Sequence, residues 1–413
     1  MPWLVEISLV LGALLLFQSA WALADGYRFL NFVRKRRAEP LASHTPYAAV
    51  VIPCKGVDRD FESNLHAYLN QDYPNYQLIL VVALASDPAY GLLQGRLGKP
   101  SESGGDPSPK ASIVVAGIAG VRGEKVNNLL RGIDALDPAA EVLVFADIDA
   151  RPSADWLRSL VAPLANARTT VSTGFRWYLP GQGLVSQLRA AWDTSIATTL
   201  GDHGHNFAWG GSMAIRAADF HRLKVAERYW ASAVSDDYAL TRAVRAAQGR
   251  IRFEPRCLVA SHEESSWSAF LNWANRQIII TRVYMPHLWV MGLAAYLLYA
   301  LTVLLGLGLL VWPAPLIANA RQRILVAGIL LVIHLLGVAK GRIRSIVARE
   351  IFPEEADLLR RRGACYWQLA PLVPWVMLVN FVTAGATRRI EWRGIRYELR
   401  SREEVRVLRR ADS

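Results

Sequence analysis

Glu141-Val142-Leu143-Val144-Phe145-Ala146-Asp147-Ile148-Asp149-Ala150 is an apolar run that ends in two aspartates one residue apart. A strand buried on both faces reads as an unbroken apolar stretch, and open α/β sheets bind ligands just beyond the carboxyl ends of their strands. Carboxylates at that point suit a hard divalent cation such as Mg²⁺ or Mn²⁺, which takes oxygen ligands and in phosphate chemistry completes its shell from the substrate's own phosphates. The same residues also suit a plain turn, because Asp is favoured in turns and Arg151-Pro152-Ser153 follow directly. The surrounding sequence has to separate the two readings.

On the N-terminal side, strands and helices alternate. Residues 47–53 (Tyr-Ala-Ala-Val-Val-Ile-Pro) read as a first strand, 61–70 as a helix, 76–83 as a second strand and 111–117 as a third; 127–136 read as a helix leading into the strand that ends at Asp147. This βαβ alternation predicts an α/β fold with a mostly parallel, Rossmann-like sheet. Residues 95–110, rich in Gly, Ser and Pro, read as a surface loop. Further on, Gly210-Gly211-Ser212 precedes the apolar Met213-Ala214-Ile215, and glycines there allow either a close backbone approach or a simple turn.

Outside this region the chain is apolar in blocks. Of 413 residues, 52% are hydrophobic, enough for one large soluble domain plus membrane segments. Residues 3–23, 288–312, 324–339 and 366–386 form four apolar segments, the last interrupted by Pro371 and Pro374. The basic cluster Arg34-Lys35-Arg36-Arg37 follows the first segment instead of preceding it, which reads as a retained anchor with a cytoplasmic C-terminal flank. Basic residues also follow the third segment (Lys340, Arg342, Arg344) and the fourth (Arg388, Arg389, Arg393, Arg396). Positive flanks after the first, third and fourth segments require that one of the four does not cross, and the proline-interrupted one is the candidate for a re-entrant or interfacial element. The net charge of +12 is explained by these membrane flanks, and no nucleic-acid-binding motif accompanies it. Cys54, Cys257 and Cys365 have no metal-ligand spacing and read as packing residues.

Further acidic candidates are Asp87, just after the second strand, and Asp236-Asp237, which open a helix predicted over 238–247. One of that pair suits a helix cap, while the other is available to take a proton in a pocket.

In this order, Cys54-Lys55-Gly56-Val57-Asp58, Asp87-Pro88, Lys125-Val126-Asn127-Asn128-Leu129, Asp147-Ile148-Asp149, Gly210-Gly211-Ser212 and Asp236-Asp237-Tyr238 resemble family 2-type glycosyltransferases. They resemble more closely the ceramide glucosyltransferase group and its bacterial relatives. The resemblance runs from the anchor to Ile390-Glu391-Trp392-Arg393-Gly394-Ile395-Arg396-Tyr397. It implies a GT-A fold and inverting transfer of a sugar, glucose in the ceramide enzymes, from a UDP-sugar to a membrane-lipid hydroxyl at the cytoplasmic face, with Mg²⁺ or Mn²⁺ as cofactor.

Carried over residue by residue, the resemblance puts Asp87 near the nucleoside, Lys55 and Lys125 near the nucleotide, and Asp147 and Asp149 on the metal. The catalytic base falls on Asp237, with Asp236 beside it as the alternative. The family's closing motif, Gln or Arg, two residues, then Arg-Trp, corresponds to Trp273-Ala274-Asn275-Arg276-Gln277; this keeps Arg276 as a diphosphate contact but has Trp273 and Gln277 in place of the other two. His262 is a further candidate metal ligand or a packing residue. The aromatic residues between Trp267 and Trp289 read as an interfacial element leading into the membrane.

The expected organisation is an anchor at 1–26, a cytoplasmic catalytic domain at 45–265, an interfacial segment at 266–287, membrane-associated helices at 288–386 and a basic cytoplasmic tail at 387–413. The expected location is a bacterial inner membrane, crossed more than once. Other acceptors in view are a hopanoid, diacylglycerol or a polyprenyl lipid, the last also through phosphosugar transfer, and a catalytically idle membrane module is the third class.

Overall fold

The computed structural model describes residues 2–97, 110–311 and 319–410. Most of the loop expected at 95–110 and the end of the apolar segment at Trp312 lie outside the described residues; Gly95, Arg96 and Leu97 close the helix Pro88–Leu97.

By its internal contacts the chain divides into two units. The first, α/β in character, comprises Lys35–Trp177, Leu200–Ser261 and Arg388–Ser413. Its seven-stranded sheet contains β1 (Ala48–Cys54), β2 (Tyr76–Val82), β3 (Lys110–Val115), β4 (Val142–Ala146), β5 (Thr169–Tyr178), β6 (Ser212–Arg216) and β7 (Arg250–Ser261), in the order β3-β2-β1-β4-β6-β5-β7. β1 pairs in parallel with β2 and β4, and β2 with β3. β6 runs antiparallel to both β4 and β5. The mostly parallel sheet read from the βαβ alternation is therefore present, with β6 antiparallel to both of its neighbours.

The central strands are buried along their whole length, which is why they show no hydrophobic alternation. Val50, Ile52, Leu78, Leu80 and Val144 pack with Tyr68 and Trp156 in one core cluster, each such aliphatic side chain contributing roughly 1.5–3 kcal/mol of burial. The helix expected at 127–136 begins three residues earlier, at Glu124, which brings Lys125 into its first turn.

The segment expected as a basic tail is folded. β8 (Arg389–Trp392), β9 (Ile395–Leu399) and β10 (Val405–Arg410) form a separate antiparallel sheet, with Ile390, Ile395, Tyr397, Leu399 and Val405 buried. The β8–β9 turn is Arg393-Gly394, with φ of 48° and 78°. A two-residue hairpin with both central residues at positive φ matches the right-handed twist of its strands. Glycine adopts that conformation freely, whereas Arg393 adopts it at a steric cost.

The second unit is helical: Met1–Arg34, Tyr178–Thr199 and His262–Thr387. Among the described residues three helices are long and apolar enough to cross a membrane: Trp3–Ala38, Pro286–Val311 and Ala320–Ile351. The first and third extend well beyond the apolar runs at 3–23 and 324–339, because the basic residues that follow each run continue the same helix. The proline-interrupted segment divides into Cys365–Gln368 and Val373–Ala386. At 14 residues the latter is about 21 Å long, short of the roughly 30 Å hydrocarbon core. Glycine permits close helix contact: a Cβ on Gly12 would lie 2.9 Å from Ile329. Asn380 is buried and fully engaged, accepting from Trp192 Nε1 at 3.1 Å and donating to Asn275 Oδ1 at 2.8 Å.

Candidate active site

Where β4 ends, the chain turns at once, with Ala150 N donating to Asp147 O at 3.2 Å. The helix Phe61–Leu69 holds this turn from one side: Tyr68 Oη donates to Asp147 O at 2.9 Å and Asn64 Nδ2 to Ile148 O at 2.9 Å. The metal-type and turn readings of the aspartate pair are thus compatible, because the backbone makes the turn while the side chains are left for other partners.

Those partners are cations. Lys125 Nζ stands 2.7 Å from Asp147 Oδ1 and 3.2 Å from Asp236 Oδ2, so it bridges β4 and the helix Asp236–Ala246. Arg176, on β5, pairs with Asp149 and lies 3.7 Å from Asp147 Oδ2. Arg393, at the tip of the C-terminal hairpin, reaches Asp149 Oδ2 at 3.1 Å and Asp58 Oδ2 at 3.0 Å, and donates to Lys55 O at 3.2 Å. Gly210 and Gly211 make room for the cluster: a Cβ on Gly210 would come within 2.8 Å of Lys125 Nζ, and one on Gly211 within 2.8 Å of Asp147 Oδ2. The glycines are there for close approach.

The cluster's electrostatics differ from one carboxylate to the next. Burial alone would raise Asp149, but the Arg176 and Arg393 guanidiniums outweigh it and hold the group well below the usual carboxylate range. Asp236, only 2% exposed, is pushed up to about 7, chiefly by burial and further by Asp237 and Asp147, although Lys125 opposes the shift. Burial would lower Lys125, but Asp147 and Asp236 overcome that and keep it firmly charged.

Asp237 is half-buried beside this cluster. Its Oδ1 accepts from Tyr238 N at 2.7 Å and is paired with Ser235 Oγ, while Oδ2 is 3.4 Å from Gly210 N. Ser235 supplies the helix cap, accepting from Tyr238 N, so the cap is the serine and not an aspartate alone. Asp87, at the carboxyl end of β2, accepts from Gly56 N at 2.8 Å and Ala89 N at 2.9 Å. Lys55 is 2.8 Å from Glu124 Oε1, and Arg410 takes the other oxygen at 2.6 Å.

The structure therefore brings Lys125, Asp147 and Asp236 into direct contact and links Asp149 to Asp147 through Arg176, with Asp237 next along the helix. Arg276 and His262 belong to the helical unit. Arg276 is half-buried on the helix Trp267–Tyr284, and His262 Nε2 is 2.7 Å from Glu355 Oε1. Among the described residues no group of three or more His, Cys, Asp or Glu side chains could hold a metal, so His262 completes no three-ligand site; Glu355 is its partner instead. The three cysteines are buried and free.

Arg176 and Arg393 were not singled out from the sequence. A lone arginine in a strand carries no motif, and Arg393 counted only toward a basic flank. An X-Gly pair between two short β-type runs, Arg389–Trp392 and Ile395–Leu399, was the available signal for a hairpin there.

The donor set suits a substrate-completed divalent cation. Two carboxylates at a strand end, with cations already balancing them, match a metal that takes its remaining ligands from phosphate and water, and do not make a closed protein cage.

An open, mostly parallel sheet with acidic residues beyond the carboxyl ends of β4 and β2 binds its ligand there, and here the family match makes it a GT-A glycosyltransferase. The chain belongs to glycosyl transferase family 21, whose model matches residues 14–405. Among solved structures it is similar to a mannosyltransferase of Pyrobaculum calidifontis in complex with GDP-Man and Mn²⁺, at 15% identity over 93% of this chain and 98% of that one, with a TM-score of 0.49. It is also similar to glucosyl-3-phosphoglycerate synthase of Mycobacterium tuberculosis in complex with Mn²⁺, UDP and glucosyl-3-phosphoglycerate, at 17% identity over 62% of this chain and 83% of that one, with a TM-score of 0.38.

Proposed function

We propose that the chain moves a sugar from a UDP-sugar to a hydroxyl of a membrane lipid, with inversion, and that Asp147 and Asp149 hold the divalent cation. The observation that carries this reading is the contact set of Lys125, Asp147 and Asp236 beside the half-buried Asp237. When bound, Mg²⁺ or Mn²⁺ would neutralise charge on the departing diphosphate.

This chain's own residues then divide the work. Lys125 and Arg176 supply positive charge where negative charge develops, in a site whose fixed partners need little rearrangement. Asp237 is the base: part of it remains accessible, so it can take the proton of the incoming hydroxyl as the oxygen attacks the anomeric carbon. Asp236 is too buried for that task and instead positions Lys125. Asp87 orders the Gly56 backbone beside the nucleoside end of the donor, and Lys55, tied to Glu124, sits in the same segment. Arg276 is retained as a diphosphate contact, whereas His262 serves as a structural partner of Glu355.

The lipid acceptor is supported by the three helices, among the described residues, that are long and apolar enough to cross a membrane. The basic residues that follow the apolar runs of the first and third of these helices favour a catalytic unit on the cytoplasmic side of a bacterial inner membrane crossed more than once. Ceramide, a hopanoid, diacylglycerol and a polyprenyl lipid all present a suitable hydroxyl or phosphate.

The decisive experiment incubates the purified full chain with UDP-sugars, Mn²⁺ and a panel of these lipids, and follows UDP release and product mass. A lipid gaining one hexose with inverted anomeric configuration supports the reading. A product that retains phosphate would replace it with phosphosugar transfer, and no metal-dependent UDP release from any pair would sink it.

A further inference from the structure

The helix Ala320–Ile351 carries Arg344 on its protein-facing side, where it is only 6% exposed. Its Nε is buried without a hydrogen-bond partner, and among the described residues no carboxylate pairs with its guanidinium. Three other arginines of this unit have carboxylate partners: Arg34 with Glu350, Arg189 with Glu263 and Arg360 with Asp357. Within electrostatic reach of Arg344 lie Tyr296 and Lys340, the latter one helical turn away, of the same sign, and itself within reach of Asp25. A buried guanidinium without a counter-charge is costly, and an adjacent ammonium adds to the cost.

The level of this pair along the helix is informative. The apolar run ends at Ala339, and Lys340, Arg342 and Arg344 follow. Aromatic residues gather at the same level: Arg342 lies over the Trp367 ring at 5.2 Å, Tyr299 packs edge-on against Trp375, and Tyr296 against Phe381. Trp and Tyr concentrate where hydrocarbon meets headgroups, and basic pockets between helices at that depth bind anionic lipid headgroups.

We infer that Arg344, with Lys340 beside it, forms a binding site for the phosphate of an anionic membrane phospholipid. Arginine fits a phosphate because its planar fork donates two parallel hydrogen bonds. The site lies entirely within the helical unit and uses no residue assigned to catalysis. It rests on the membrane reading above.

The test uses the full chain in detergent and native mass spectrometry, with phosphatidylglycerol, phosphatidylcholine and inorganic phosphate as separate probes. The wild type should retain phosphatidylglycerol about tenfold better than phosphatidylcholine, and Arg344→Gln should lose that preference. Should Arg344→Gln fail to fold, Arg344→Lys, which keeps the charge but not the fork, should retain the lipid several-fold less well. Equal retention by wild type and whichever variant folds overturns the site, and binding of inorganic phosphate without any lipid preference overturns the lipid assignment. Release of the wild type from membranes by alkaline carbonate would break the membrane reading itself, whereas an integral protein with no anionic-lipid preference breaks only this inference.

Discussion

The α/β unit and the helical unit both bury charge, and Lys125 in the one and Arg344 in the other do so in opposite ways. In the α/β unit Lys125 is placed between Asp147 and Asp236, and Asp149 between Arg176 and Arg393, so each charge is answered by protein. In the helical unit Arg344 is buried with no carboxylate against it among the described residues. An answered cluster is preorganised: its groups are already held where a ligand's charge will develop, and the ligand rearranges little. An unanswered one depends on something outside the chain to balance it.

The comparison can be broken most sharply at Asp147. Asp147→Asn should lower UDP release from a UDP-sugar about 10³-fold, since several kcal/mol of charge stabilisation would be lost, with the circular dichroism spectrum unchanged. Normal turnover in a folded variant would remove the aspartate pair from the mechanism. Asp237→Asn should reduce kcat by about 10²-fold or more while leaving donor KM nearly unchanged, which steady-state kinetics separates. A variant whose donor KM rises while kcat holds would move the base elsewhere.

Stability tests the same contrast. Lys125→Met leaves Asp236 buried without its cation and should cost about 3 kcal/mol in chemical denaturation. In the helical unit, Asn380→Ala leaves the Trp192 indole N–H without its acceptor and should cost roughly 1–3 kcal/mol. If Lys125→Met proves the milder of the two, the α/β cluster is less finely balanced than its distances imply.

The smallest effect is in pH. Because Asp236 is raised from 3.8 to about 7, the folded chain holds a proton that the unfolded chain has released across that interval. This group's contribution therefore declines as pH rises from 3.8 to about 7, and Asp236→Asn should flatten that part of the melting-temperature profile. Asp149 acts with the opposite sign: its lowered value contributes stability at neutral pH that is lost as pH falls below the ordinary carboxylate range. An identical profile for wild type and Asp236→Asn would show that Asp236 is solvated.

Much of the α/β unit was legible. β1, β2 and β4 announce themselves because a strand covered on both faces reads as a near-continuous apolar run. Asp147, Asp149 and Asp236 could be picked out because each stands at a strand end or helix start, where local sequence reports position, whereas Lys125, outside the helix expected from 127, was named only through the family resemblance. The reversal of β6 was not legible, since Met213-Ala214-Ile215 reads the same in either direction. Arg393 was missed for a different reason: the residues around it were read as a charged membrane flank, although Ile390, Ile395 and Tyr397 alternate as a half-buried hairpin does.

The sequence by itself determined the strand that ends in Asp147 and Asp149, the acidic pair at the helix start and the apolar helices, because periodicity and charge are local properties. Only the tertiary structure decided which cations answer those aspartates. Arg176 is 27 positions from Asp149 and Arg393 is 244, and a salt bridge across such distances depends on how strands and hairpins pack, which no local pattern records.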